Sequence, residues 1–245
     1  MVKQIRSLIS FLTIIPTGSY DIYYIARHMF LFPVAGAIIG LLIGSFALGL
    51  SLMLQPLFVG LIATGTLFIL TGAHHTDALS DFADGLMAKG GKDSKRKAMS
   101  DPRAGSAGTA ALVLYFAGSV IAISILAGIG GFKLLAALIA SEVIAKYVMV
   151  VQAHKGIAAW EGIGSPFTES MKDSVKMIAA SAITIPIAYF AGNIAGLYAL
   201  ASAVLIAFVI VRISNRSFGG VSGDVFGASN EITRLSSLIV FASLL

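Results

Sequence analysis

Cysteine is absent from the 245-residue chain, which excludes disulfides and thiolate-bound metals. Charge is scarce too: Asp, Glu, Lys and Arg make up 12% of the residues, against 57% hydrophobic, and mean hydropathy is +0.91. A soluble domain has no use for that much apolar surface, so the composition predicts an all-α polytopic membrane helical bundle. Internal repeats, low-complexity tracts and a soluble segment are also missing. Residues 1–245 therefore read as a single integral membrane domain in a lipid bilayer. A net charge of +5 on so apolar a chain suggests no nucleic-acid partner, and the sequence allows a homo-oligomer.

Lys3, Arg6, Ser7 and Ser10 share one helical face near the start, and Ile5, Leu8, Ile9 and Leu12 share the other, up to Pro16. That pattern predicts an amphipathic helix at the membrane interface. Apolar runs long enough to span follow at about 29–54, 55–75, 108–128, 131–153, 174–191 and 193–212. The last run, 232–245, is short for a crossing and reads as a thin seventh span, a re-entrant piece or a helix buried in the bundle, giving about six or seven spans. Gly36, Gly40 and Gly44, at four-residue spacing, predict close helix packing.

With the N-terminus placed in the cytoplasm, the segments 76–107, 154–173 and 213–231 lie on the same side. Together with the N-terminal stretch they hold nearly all the Lys and Arg, including Lys3, Arg6, Lys89, Lys92, Lys95, Arg96, Lys97, Arg103, Lys155, Lys172 and Arg216. The opposite side shows Lys133 alone. The positive-inside bias predicts a multi-pass plasma-membrane protein with these loops cytoplasmic. Glu142 is the one carboxylate well inside a span, and Lys146, one turn later, is its expected structural partner.

Chemistry concentrates in three stretches on the cytoplasmic side. In the first, Asp77, Asp81 and Asp84 recur at i, i+4 and i+7, within about 60° of one another on a helix. Three like charges so placed repel unless a cation sits between them, and oxygen ligands without cysteine favour a hard ion, Mg²⁺ or Mn²⁺. In the second, Asp101 to Thr109, Pro and Gly make a turn and Ser106 is positioned to cap the next helix. Free N–H groups around Gly105 and Ser106, with Arg103 beside them, suit a phosphate, and Lys92 on the preceding basic loop adds a cation. The third runs from Arg216 to Glu231, where Gly219, Gly220, Gly223 and Gly227 surround Asp224. Those glycines predict close backbone approach to a ligand, with Asp224 brought to the acidic helix and Asn230 and Glu231 completing a polar site. Together the three suit metal-assisted transfer from a diphosphate. A transporter is the rival from another class, and it would place its polar residues at mid-membrane in broken helices rather than at one interface.

The arrangement H-x-D-x-L-x-D-x-x-D-G at His75 to Gly85, D-x-R-x-G-S-x-G at Asp101 to Gly108 and G-G-x-x-G-D-x-x-G-A at Gly219 to Ala228 resembles the cobalamin synthase (adenosylcobinamide-GDP ribazoletransferase) family. Phe11 to Pro16 and Phe32 to Gly36 extend the likeness over essentially the whole chain. Ala78 stands where that family usually has Gly, and Ser222 where Thr is common. More distantly, the acidic helix is similar to that of the CDP-alcohol phosphotransferases. The resemblance implies a Mg²⁺-dependent membrane enzyme that joins adenosylcobinamide-GDP to α-ribazole or its 5′-phosphate and releases GMP. Asp77, Asp81 and Asp84 are then the expected metal ligands, Asp224 a further ligand or the general base, and His75 the alternative base.

Overall fold

The computed structural model describes residues 1–245, and every extended element in it is a helix. In order these are α1 (Val2–Leu12), α2 (Ile22–Arg27), a 3₁₀ turn (Met29–Leu31), α3 (Phe32–Ser51), α4 (Pro56–Leu70), α5 (His74–Met87), α6 (Lys92–Met99), α7 (Ser106–Ile129), α8 (Gly131–Lys155), α9 (Gly164–Ser170), α10 (Ser174–Gly192), α11 (Ile194–Ser217) and α12 (Gly223–Leu244). Five stretches are long and apolar enough to cross a membrane: Met29–Ser51, Ser106–Ile129, Gly131–Lys155, Ser174–Gly192 and Ile194–Ser217. The protein is a multi-pass helical membrane bundle, as the composition predicts.

Two stretches depart from the hydropathy reading. The run at 55–75 does not form one straight span: α4 has 15 residues, about 22 Å at the α-helical rise, and α5 leaves it at 91°. Gly72 (φ +66°) and Ala73 (φ +61°) form that corner in left-handed backbone, which for Ala73 carries a cost of about 1–2 kcal/mol. The bend turns α5 out of the line of α4. At the other end, the glycine-rich segment does not stay a loop up to Glu231, and 232–245 is not a separate short piece. Residues 223–231 and 232–244 together form the 22-residue α12, begun by Ser222, whose hydroxyl accepts from the Val225 N–H. Asp224, Glu231 and Arg234 dilute its hydropathy, and burial explains how it carries them.

The centre of the bundle is α8, from Leu134 to Ala153 almost wholly buried, with α3, α10, α11 and α12 around it. Gly36, Gly40 and Gly44 lie where α3 meets α8. A Cβ on Gly36 would stand 2.6 Å from the Glu142 carbonyl oxygen, and one on Gly40 2.6 Å from Ile139 Cα. The four-residue spacing is thus a helix–helix seam, as the sequence predicts. The α1 helix forms as expected, with Lys3 and Arg6 exposed, but Leu8, Ile9 and Leu12 are covered by protein. Its Phe11 packs against Phe32 and Phe167 at ring separations of 6.2 and 5.6 Å.

Candidate active site

The acidic helix α5 begins one residue beyond the Gly72–Ala73 corner, with Thr76 Oγ1 donating to the Ala73 carbonyl. Asp77 in its first turn, together with His74 and His75, forms one wall of a cavity of about 560 Å³. Facing them are Gly223, Asp224, Phe226 and Gly227 of α12, and the remaining wall is apolar, from Phe11, Phe32, Met149 and Phe167. Sequence reasoning places Asp224 beside the acidic helix from the far end of the chain, and the fold brings it there. The two helices touch at Gly227, where a Cβ would stand 2.5 Å from that of Ala78.

Asp81 lies one turn beyond Asp77 and is half-buried. Its pKa is pushed up to about 6, first by burial and then by the negative charges of Asp77, Asp224 and Asp84. Four carboxylates thus share one field, a donor set whose chemistry fits a hard divalent cation. No three of the acidic or imidazole groups converge closely enough to hold an ion as they stand. The fit therefore lies in donor type and charge.

Asp84 makes a contact that the sequence does not reveal. Its two carboxylate oxygens accept from the backbone N–H groups of Gly105 (2.6 Å) and Gly108 (2.9 Å), so it caps α7 from across the bundle. Ser106, the expected cap, makes no such bond and is exposed. Of the N–H groups expected to receive a phosphate, that of Gly105 is therefore already taken by Asp84. Gly105 and Gly108 are glycines because a Cβ on either would collide with that carboxylate. Asp84→Ala would orphan both part-buried donors, and the cost is expected to be about 1–3 kcal/mol. Thermal unfolding in detergent should show it less stable than Asp77→Ala; equal melting temperatures for the two would refute the capping role.

Other predicted contacts fall away from the cavity. Arg103 is exposed and spends its guanidinium on Asp101 at 3.0 Å. Gly219 (φ +92°) makes the turn after α11, and Lys92 Nζ approaches it. Gly220 packs on the backbone of residues 157–159, where Val221 and Ala158 form an isolated parallel bridge. Of the glycines named as ligand contacts before Asp224, Gly223 alone lines the cavity. Trp160 is covered on one face by the Arg96 guanidinium, 4.3 Å from its ring, which ties the basic helix α6 to the loop after α8.

Asn230, predicted to touch substrate, is instead fully buried behind the cavity in a network of charges. Lys146 Nζ donates to Asn230 Oδ1 (2.7 Å) and lies 3.4 Å from Glu142 Oε2. Arg234 pairs with both Glu142 and Glu231 and donates to the Tyr115 hydroxyl at 2.9 Å. Asn230 Nδ2 reaches Glu231 Oε1 (3.0 Å) and His75 Nδ1 (3.3 Å). The predicted Glu142–Lys146 pair exists, and through Asn230 and Arg234 it joins the network behind the cavity. Arg234 escapes sequence reasoning because it stands among apolar residues without a motif; a cation three residues after Glu231 in an apolar run was the available signal. Burial lowers the His75 pKa well below the ordinary histidine range, and Lys146, Arg234 and His74 push the same way.

Comparison with known proteins gives these features a family. The model of the family described as "Cobalamin-5-phosphate synthase" matches residues 4–242. An adenosylcobinamide-GDP ribazoletransferase of Methanocella arvoryzae is 33% identical, the match covering 100% of this chain and 97% of the relative. Proteins of the same description from Archaeoglobus fulgidus and Halorubrum lacusprofundi are 34% and 31% identical, each over 97% of this chain and 96% of the relative. No solved structure matches the chain. Matched from end to end, with its first and third motifs meeting at one acidic cavity, the chain belongs to the cobalamin-5-phosphate synthase family.

Proposed function

We propose that this chain is a Mg²⁺-dependent adenosylcobinamide-GDP ribazoletransferase, which transfers the adenosylcobinamide phosphoryl group to the 3′-hydroxyl of α-ribazole or its 5′-phosphate and releases GMP. The observation that carries the reading is the cavity that joins Asp77 of the acidic helix to Asp224 of the last helix, in a chain matched over nearly its full length by proteins of that name. Its volume of about 560 Å³ suits a ribazole and a diphosphate, and the far larger corrin ring must stay outside. The wall formed by Phe11, Phe32 and Phe167 offers apolar surface for the flat base of the ribazole.

Asp77, Asp81 and Asp84 would hold the Mg²⁺, which supplies charge neutralisation to the diphosphate and to the departing GMP. Asp84 would add its charge to the site through the carboxylate that accepts from the Gly105 and Gly108 N–H groups of α7. Asp224, facing them from another helix, takes the proton from the ribazole 3′-hydroxyl as that oxygen attacks the cobinamide-side phosphorus. The active-site loops lie on the cytoplasmic side of the plasma membrane, where the Lys and Arg cluster.

Purified protein in detergent should convert adenosylcobinamide-GDP and α-ribazole 5′-phosphate to the joined product and GMP. EDTA should stop the reaction and added Mg²⁺ restore it. Undiminished turnover in EDTA after exhaustive dialysis would refute the metal assignment while leaving the transferase activity standing.

A further inference from the structure

We infer that His75 serves the reaction as a neutral hydrogen-bond donor through Nε2–H, its tautomer fixed from behind by Asn230, and that it is not a base. The inference deepens the diphosphate-transfer reading of the cavity and rests on it. Lys146 is the starting point: an ammonium only donates, so the Asn230 atom 2.7 Å from Nζ is the amide oxygen. Glu231 gives the same answer independently, because a carboxylate only accepts and the Asn230 atom 3.0 Å from Oε1 must then be the amide nitrogen. The orientation of the amide is therefore fixed by two charged neighbours of opposite kind.

One Asn230 N–H goes to Glu231, and the other points to His75 Nδ1 at 3.3 Å. Nδ1 must accept that bond, so the ring proton sits on Nε2. Glu231 Oε1 stands 3.8 Å from Nδ1, beyond hydrogen-bond distance, and is occupied by Asn230; its other oxygen is occupied by Arg234. Nε2 has no hydrogen-bond partner in the protein, and His75 lines the cavity with Asp77 and Asp224. A nitrogen that already carries its proton offers no lone pair to a hydroxyl. It offers an N–H to an oxygen that is gaining charge.

The transfer then balances as follows. The ribazole 3′-oxygen bonds to the cobinamide-side phosphorus, its proton passes to Asp224, and the bridging P–O bond breaks with its electron pair leaving on GMP. His75 keeps its Nε2 proton throughout and donates to a phosphoryl oxygen as negative charge builds there. Asn230 touches no substrate and is a positioning residue.

The test is nitrogen-15 NMR of the intact protein, histidine-labelled, in detergent micelles, with the His75 signals assigned by their loss in His75→Gln. An unprotonated Nδ1 and a protonated Nε2 are expected; a proton on Nδ1 overturns the inference. In Asn230→Asp the acceptor-only side chain should move the proton to Nδ1; if that variant does not fold, the wild-type spectrum decides alone. In the transferase assay His75→Ala should lower kcat by about 10²-fold, as loss of a charge-stabilising donor does. His75→Gln restores an N–H in the region of Nε2 and should run at least about tenfold faster than His75→Ala. Equal losses in the two variants would sink the donor role. If wild-type protein does not turn over adenosylcobinamide-GDP at all, the transferase reading fails while the tautomer result stands or falls on the spectrum.

Discussion

Asp77→Ala and Asp81→Ala are each expected to lower kcat by about 10³-fold or more while the protein remains folded in the membrane. A metal ion that stabilises diphosphate charge is worth several kcal/mol, and each 1.36 kcal/mol is tenfold in rate. Neither carboxylate packs anything: Asp77 lies open to the cavity, and Asp81 is raised to about 6 by its burial and its negative neighbours. Removing one of a set of mutually repelling charges should leave metal-free stability unchanged or slightly higher. Asp93→Ala, on the exposed face of α6, is the control and should retain full activity. Steady-state rates at saturating Mg²⁺, beside melting curves in detergent, separate the outcomes. Wild-type rates in Asp77→Ala would end the metal assignment, and loss of the folded protein would show that the acidic face is structural.

Arg234→Ala should have the largest effect on stability of any single change in the interior, about 3–5 kcal/mol. Arg234 is 2% exposed and pairs with Glu142, Glu231 and the Tyr115 hydroxyl, so it joins α7, α8 and α12 at one point. Without it two buried carboxylates face Lys146 alone, and an uncompensated charge in a low dielectric is expensive. At about 2–4 °C per kcal/mol for a chain of this size, the melting temperature should fall by about 6–20 °C. Arg234→Lys should recover little, because one ammonium cannot reach three partners that a planar guanidinium serves together. Arg234→Met combined with Glu231→Gln removes a cation and an anion at once and should be more stable than Arg234→Ala. Melting within a degree or two of wild type in Arg234→Ala would show that the network does not hold the bundle together.

Sequence alone determined whatever depends on composition and short spacing. Too little charge for a soluble surface fixed the membrane class, and runs of apolar residues fixed the spans that became α3, α7, α8, α10 and α11. Gly36, Gly40 and Gly44 announced the seam with α8, and Asp77, Asp81 and Asp84 announced a charged face, because both follow from helical periodicity. Tertiary structure decided what needed contacts between residues remote in the chain. Asp84 looked like its two neighbours until its distance to Gly105 and Gly108 made it the cap of α7. Asn230 looked like a substrate contact until Lys146, Glu231 and His75 enclosed it. Hydropathy broke the last helix at Glu231 because it averages over neighbours in sequence, whereas Arg234 is paired both with Glu231 one turn before it and with Glu142 on α8. The free energy of a buried charge is set by the partner within a few ångströms, and a linear chain does not carry that distance.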